Sequence, residues 1–192
     1  MPNRENSNSR GVSVIEIAMV LLVIGITIAM ATPLITNAMR EYRLSTAEQD
    51  ILVMLHRAKT TAVSNNGSTA VVVDTANSRI GLATAFIGNG NGTVTTWVNL
   101  PSGVSFATPS GVTAPVAGAP TTSAISFPLQ ASSSTAYQQN FTSLGLPSVA
   151  TAGAVNAIYL TNGRSYIAIT LTCVSGLGVW GWSSTTNTWT KE

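Results

Sequence analysis

The distribution of apolar residues divides the chain into an unbroken apolar run, an amphipathic stretch and a long series of short alternating runs. Residues 17–39 contain no charged side chain, although Glu16 and Arg40 border them on either side. A helix over residues 15–35 would be about 30 Å long, which matches the hydrocarbon thickness of a bilayer. The pattern therefore predicts a membrane-spanning helix near the N-terminus.

The amphipathic stretch continues the helical pattern beyond Pro33. No glycine or proline interrupts it before Asn65-Asn66-Gly67, a sequence that is typical of a helix end. We therefore predict one helix of roughly 50 residues, about 75 Å long, with a kink at Pro33. Its second half presents one apolar stripe for packing on a sheet, which consists of Leu44, Ala47, Ile51, Leu55, Ala58 and Ala62.

After residue 66 the pattern changes to short β-type runs separated by turn residues. A hairpin with a two-residue turn at Asn162-Gly163 is predicted at 157–173. A second hairpin, at 178–191, carries Trp180, Trp182 and Trp189. Further strands are predicted at 69–73, 79–86, 93–100 and 124–127. The predicted fold class is α+β, with the long N-terminal helix packed on an antiparallel β-sheet head.

Charged residues are scarce in the 192-residue chain, and their placement limits the functions that we expect. They make up 8% of the sequence, and after residue 80 only Arg164, Lys191 and Glu192 remain. A nucleic-acid-binding surface usually shows a basic stripe, and acid–base catalysis needs positioned titratable groups. Neither pattern is present. We therefore expect no enzyme activity, no catalytic residue, no metal site, no cofactor and no nucleic-acid partner.

The remaining residues with reactive side chains are isolated along the sequence. His56 is the one histidine of the chain and Cys173 the one cysteine, so neither has a second ligand of its kind. We interpret His56 as a partly exposed helix residue and Cys173 as a small buried side chain. Asp74 follows a predicted strand and is interpreted as a turn residue.

Three interpretations of the N-terminal run are open. Ala29-Met30-Ala31 matches the cleavage pattern of a secretory signal peptide, and an uncleaved anchor without further role explains the same length. The third interpretation depends on Gly11, which precedes the run. Glu16 is the fifth residue after Gly11, and Pro33 is the twenty-second. This interpretation is favoured because a segment that is cleaved off has no reason to continue into a domain helix.

The third interpretation is a resemblance to a known family. Gly11-Val12-Ser13-Val14-Ile15-Glu16, the apolar run and Pro33 resemble the class III signal of type IV pilins and type II secretion pseudopilins. The resemblance implies that prepilin peptidase cleaves between Gly11 and Val12 and that Val12 is N-methylated, although the family more often has Phe there. It divides the chain into a leader peptide at 1–11, a transmembrane and assembly helix at 12–35, an amphipathic helix at 36–66 and a β-rich head at 67–192.

The resemblance also implies a role for Glu16 and Pro33 in assembly. A carboxylate at the centre of a bilayer costs about 2.5–3.5 kcal/mol on insertion scales, and less near the interface. Such a residue needs a partner that offsets this cost. Cleavage after Gly11 creates an amine at Val12, which helices bundled side by side bring to the Glu16 of a neighbouring subunit.

A narrower resemblance is to the GspH/FimT group of minor pseudopilins. It rests on the helix sequence at 43–66, on FTSLGLPS at 141–148 and on IYLTNGRSYIAI at 158–169. It implies a structural subunit that helps to initiate or cap a type II secretion pseudopilus or a type IV pilus. The implied partners are prepilin peptidase, other major and minor pilins or pseudopilins, and the inner-membrane assembly platform.

The implied location is the bacterial inner membrane, crossed once, with the N-terminus cytoplasmic and the head periplasmic until the subunit joins a pilus or pseudopilus. Two arginines against one glutamate in residues 1–11 favour this orientation. The alternatives are a pilus-tip adhesin or DNA-uptake receptor, and an exported β-domain. Some FimT-type pilins bind DNA through a G-R-x-R motif, but Gly163-Arg164-Ser165-Tyr166 keeps only the first arginine, which leaves Arg164 as a candidate contact.

Overall fold

The computed structural model describes residues 13–84, 93–130, 133–148, 155–172, 176–183 and 186–192. The chain forms two compact units, Met1–Met39 and Arg40–Glu192. The leader predicted at 1–11, the cleavage site between Gly11 and Val12, and Cys173 lie outside the described residues. Those predictions therefore stay predictions.

Helix α1 spans Val14–Ser64 over 51 residues, so the prediction of one long helix is confirmed. It continues through Pro33, and the kink expected there stays a prediction. At its end the N–H of Asn66, whose φ is 44°, donates to the Val63 carbonyl at 3.2 Å. The N–H of Gly67 donates to the Ala62 carbonyl at 3.0 Å. This Schellman motif satisfies carbonyl groups that the end of a helix leaves free.

The described residues after α1 contain strands that form two antiparallel sheets. In chain order the strands are β1 (Thr69–Asp74), β2 (Arg79–Thr84), β3 (Thr93–Asn99), β4 (Ser105–Phe106), β5 (Ala136–Phe141), β6 (Val155–Thr161), β7 (Tyr166–Thr172), β8 (Gly176–Ser183) and β9 (Thr188–Lys191). Sheet A has the strand order β3-β2-β1-β5, and sheet B has the order β4-β6-β7-β8-β9. The α+β fold class is therefore confirmed, with two sheets where one was predicted.

The apolar stripe of α1 forms the centre of the hydrophobic core. All six residues predicted for the stripe are buried, and Met54 joins them. They form one cluster with buried side chains from both sheets, among them Val71, Ile80, Ile158 and Ile169. The number of sheets could not be predicted because alternation along a strand identifies its buried face but not its neighbouring strands.

Strand β5 was not predicted, because it contains three consecutive amide side chains and Asn is depleted in strands. Its central amide, Gln139, is fully buried. The Gln139 Nε2 donates to the carbonyls of Asn140 and Ser148, each at 2.9 Å, and its Oε1 accepts from the Nδ2 of Asn156. These hydrogen bonds supply the partners that a buried amide needs, and they join β5 of sheet A to β6 of sheet B.

The strand predicted at 124–127 is wrong. Ile125 forms only an isolated bridge with Ile158. Pro128 follows directly and has no N–H with which to extend a ladder.

The two-residue turn predicted at Asn162-Gly163 is also wrong. Thr161 of β6 pairs with Tyr166 of β7, so the loop between them consists of the four residues 162–165. The reason is the side chain of Asn162, which accepts backbone hydrogen bonds within the loop and holds it in a wider conformation. The hairpin predicted at 178–191 is confirmed as β8 and β9.

Candidate functional site

The apolar part of α1 is an unpartnered surface within its own unit. Large apolar side chains are exposed all around the helix there, and they are Val14, Ile15, Ile17, Met19, Val20, Leu21, Leu22, Val23, Ile24, Ile26, Ile28, Met30, Leu34, Ile35 and Met39. Exposed apolar area is unfavourable in water by roughly 25 cal/mol per Å². Within the described part of the chain, α1 is also the one helix long and apolar enough to cross a membrane. This segment is the candidate functional site.

The hydroxyl groups of this segment are satisfied inside the helix. Thr27 Oγ1 donates to the Val23 carbonyl at 2.7 Å, Thr32 Oγ1 to the Ile28 carbonyl at 2.8 Å and Thr36 Oγ1 to the Thr32 carbonyl at 2.6 Å. Such bonds to the preceding turn leave no free hydroxyl donor. These hydroxyl groups therefore add no unsatisfied donor, which in hydrocarbon would cost several kcal/mol.

Pro33 lies between two of these threonines, in the interior of α1. Because proline has no N–H, the carbonyl four residues earlier, at Ala29, loses its usual helical donor. Neighbouring Ser and Thr side chains are one of the ways in which membrane helices tolerate an internal proline. The helix persists through this defect, as the sequence predicted.

Glu16 occupies the first turn of α1 and is exposed. The backbone N–H of Glu16 donates to the Ser13 carbonyl at 3.0 Å, and that of Ile17 to the same carbonyl at 3.2 Å. Ser13-x-x-Glu16 matches the capping-box pattern at a helix start, a signal that sequence reasoning missed. No residue in the part of the chain that the structure describes forms an ion pair with the Glu16 carboxylate. The partial positive charge of the helix end favours an acid at this position.

Arg164 lies in the loop between β6 and β7 and is exposed. Among the described residues it forms no ion pair, since the one salt bridge there joins Arg79 to Asp74. No ion pair with a described residue therefore holds the Arg164 guanidinium in a fixed direction.

The tryptophans of the second hairpin pack on sheet B. Trp180 and Trp189 contact a buried cluster that contains Val155, Ala157, Tyr159 and Ala168. The Trp189 ring lies 5.9 Å from that of Tyr159 and 5.2 Å from that of Trp182, centroid to centroid. Its Nε1 donates to the Thr113 carbonyl at 2.8 Å. Trp180 and Trp189 therefore contribute to packing on sheet B.

The remaining single candidates are not brought together. His56 is exposed on α1. Asp74 ends β1 and is buried, and its carboxylate accepts hydrogen bonds from Asn77 and Arg79 within the β1–β2 hairpin. Within the described ranges, no group of three or more His, Cys, Asp or Glu side chains is placed to hold a metal ion.

Comparison with protein-family models, with curated proteins and with solved structures finds no match to this chain. The interpretation of the apolar segment therefore depends on its own sequence and geometry.

Proposed function

We propose that this chain is a minor pilin or pseudopilin, a structural subunit that helps to initiate or cap a type II secretion pseudopilus or a type IV pilus. The observation that carries the proposal is an exposed apolar helix with one carboxylate, Glu16, in its first turn. The subunit is made as a prepilin, cleaved by prepilin peptidase after Gly11 and held in the inner membrane by residues 12–35. Its β-rich head lies on the periplasmic side.

Two requirements of the apolar helix support this assignment. Its exposed side chains need lipid or neighbouring helices around them, and the carboxylate needs a cation or a hydrogen-bond donor. A bundle of identical or related helices supplies both. The amine created at Val12 by cleavage is close in sequence to Glu16, so it reaches the Glu16 of a neighbour that is displaced along the bundle. Other pilins or pseudopilins and the inner-membrane assembly platform are the expected partners.

The mature N-terminus tests the processing step. Mass spectrometry of the native polypeptide should find a chain that begins with N-methylated Val12. A chain beginning at Thr32 would instead establish cleavage after the Ala29-Met30-Ala31 pattern and an exported domain. A chain that retains residues 1–11 would support a plain anchor. Either of these results would overturn the proposal.

Substitution of Glu16 tests the assembly step in the native host. Glu16→Gln keeps the size of the side chain and removes its charge, so the protein should remain in the membrane fraction. Its cross-linking to partner pilins or pseudopilins should fall by up to about fivefold, because an ion pair near the interface contributes up to about 1 kcal/mol. Glu16→Asp, which keeps the charge, should retain part of the yield. Thr27→Val is the matched control, because it removes a polar group from the same segment whose hydrogen bond is internal.

Cross-linking of Glu16→Gln at the level of the parent protein would contradict the pairing of this carboxylate with a neighbour's amine. A reduced yield for Thr27→Val would show that the assay responds to any polar change in the segment.

A further inference from the structure

A hollow in the second unit brings together two arginines and two loops. It has a volume of about 340 Å³, and its lining consists of Arg40, Arg43, Ser102, Gly103, Asn162 and Gly163. One liquid water occupies roughly 30 Å³, so the hollow has room for a tetrahedral oxyanion with part of its hydration shell. Its residues are far apart in sequence, and the fold alone creates the site.

The Oδ1 of Asn162 accepts hydrogen bonds, whereas its Nδ2 has no partner among the described residues. Its Oδ1 accepts the backbone N–H groups of Arg164 at 2.9 Å and Ser165 at 2.8 Å, which fixes the orientation of the amide. Asn162 is only 8% exposed, and its Nδ2 has no hydrogen-bond partner. It is the one buried side-chain nitrogen or oxygen in this condition among the residues described. A buried donor without a partner costs about 1–3 kcal/mol, so it needs an explanation.

The charges around the hollow favour an anion as that partner. Arg43 Nη1 donates to the Ser102 carbonyl at 3.2 Å, which holds this guanidinium at the rim. Arg40 forms no ion pair with any described residue. The nearest acid on the same helix, Glu41, accepts a hydrogen bond from Ser165 Oγ at 2.8 Å. The hollow is therefore lined by two arginines, and the neighbouring acid Glu41 already has a hydrogen-bond partner.

We propose that this hollow binds the phosphate group of a phospholipid headgroup through Arg40, Arg43 and the Nδ2 of Asn162. Guanidinium groups suit phosphate because their N–H donors match its oxygens in geometry. The choice of a lipid rests on the proposed membrane location. The uncharged residues 17–39 would span about 34 Å as a helix, so Arg40 is the first charge beyond a hydrocarbon core of about 30 Å. Lipid phosphate groups lie just outside that core, so a guanidinium at this level is within reach of them.

The test uses the full chain in dodecyl maltoside micelles, which carry neither charge nor phosphate. Dihexanoyl phosphatidylglycerol is added, and binding is followed by calorimetry and by the NMR signal of the Asn162 side-chain amide. Dihexanoylglycerol, which lacks the phosphate, is the control ligand and should not shift that signal. Phosphatidylglycerol should shift it with saturation, and inorganic phosphate should compete at higher concentration.

Three variants remove one donor each: Arg40→Gln, Arg43→Gln and Asn162→Asp. The last keeps the Oδ1 that organises the loop and replaces Nδ2 by an acceptor. Each should weaken phosphatidylglycerol binding about tenfold or more, the usual scale for a hydrogen bond to a charged group. Arg57→Gln is the matched control, because Arg57 is an exposed arginine of the same helix outside the hollow. It should change binding less than twofold.

Equal binding of both glycerolipids, or binding that all three variants leave within twofold, would overturn the proposal. Binding of inorganic phosphate as tight as that of phosphatidylglycerol would assign a free anion and overturn the lipid assignment. Binding of a short DNA duplex that requires Arg40 and Arg43, with no lipid binding, would also overturn the lipid assignment and would assign the hollow to nucleic acid. N-terminal processing and the cross-linking of Glu16 variants are measured separately, so failure of the proposed function is distinguishable from failure of this site.

Discussion

Truncation of Ile51 to alanine tests whether the stripe of α1 holds the two sheets together. Ile51 is 0% exposed and belongs to the cluster shared by α1, sheet A and sheet B. The substitution removes three carbons from the centre of that cluster without changing charge or hydrogen bonding. The effect on the free energy of unfolding therefore measures mainly packing.

The size of the effect follows from the burial of the side chain. Three carbons at about 0.8 kcal/mol each contribute about 2.4 kcal/mol of transfer free energy. The cavity that remains adds to this, because close-packed surroundings relax only in part. Alanine has a higher helix propensity than isoleucine, which reduces the loss of stability by a few tenths of a kcal/mol. We expect a net loss of about 3 kcal/mol, a large fraction of the roughly 5–15 kcal/mol that stabilises a typical domain.

Urea titration of the full chain in uncharged detergent micelles measures this loss. All four tryptophans lie after residue 40, so their fluorescence reports only the second unit. Leu144→Ala is the control, because it also removes three carbons but from a side chain that is 76% exposed. It should change stability by less than about 0.5 kcal/mol. A loss below about 1 kcal/mol for Ile51→Ala, or equal losses for the two variants, would refute the packing argument.

Two further predictions concern sheet A and use the same titration. Gly81→Ala should destabilise the protein by about 1–3 kcal/mol. The added Cβ would lie 2.5 Å from Val94 Cγ1 and 2.7 Å from the Trp97 ring, whereas at Gly67 the nearest atom is 3.5 Å away. Equal effects of the two alanines would contradict this steric account. Burial alone would raise the pKa of Asp74, but hydrogen bonds from Asn77 and Arg79 and the charge of Arg79 outweigh it and hold the pKa below its usual value. Because the pKa of Asp74 is lower in the folded state, the ionised carboxylate stabilises the fold at pH values above its unfolded-state pKa of about 3.9. This stabilisation is lost as the pH falls through the folded-state pKa. The difference in the free energy of unfolding between the parent protein and Asp74→Asn should therefore be constant above about pH 5 and decrease below about pH 4. A difference that stays constant down to pH 2 would contradict the lowered pKa of Asp74.

The parts of the fold that the sequence predicted are those that depend on periodicity. The stripe from Leu44 to Ala62 repeats at helical spacing, and each of its predicted members is buried. The hairpin of β8 and β9 likewise follows from alternation and turn residues. Strand β5 was missed because its burial depends on partners for Gln139 that come from Asn140, Ser148 and Asn156. Such partners become visible only when the two sheets are in place.

The candidate sites differ in the same way. Glu16 is conspicuous in the sequence, because it is the last charge before 23 uncharged residues. The hollow proposed to bind phosphate could not be predicted, since Arg43 and Ser102 are 59 residues apart and Asn162 comes from a third segment. The free Nδ2 of Asn162 depends on how its Oδ1 is used within the loop. No spacing rule contains that information.

The magnitudes involved define what the proposed Glu16 pairing contributes to assembly. Glu16 is in the first turn of α1, so its cost in the membrane is below the roughly 2.5–3.5 kcal/mol of the bilayer centre. An ion pair near the interface contributes about 0–1 kcal/mol. This offsets part of the cost of the Glu16 carboxylate but does not attract neighbouring subunits strongly. The hydrophobic effect does not drive helices together in a bilayer, because lipid tails are as apolar as the side chains, so association depends on packing and on polar contacts. The pair therefore selects one axial displacement between neighbours, while packing supplies the association energy. Glu16→Gln should accordingly lose ordered assembly and keep membrane retention.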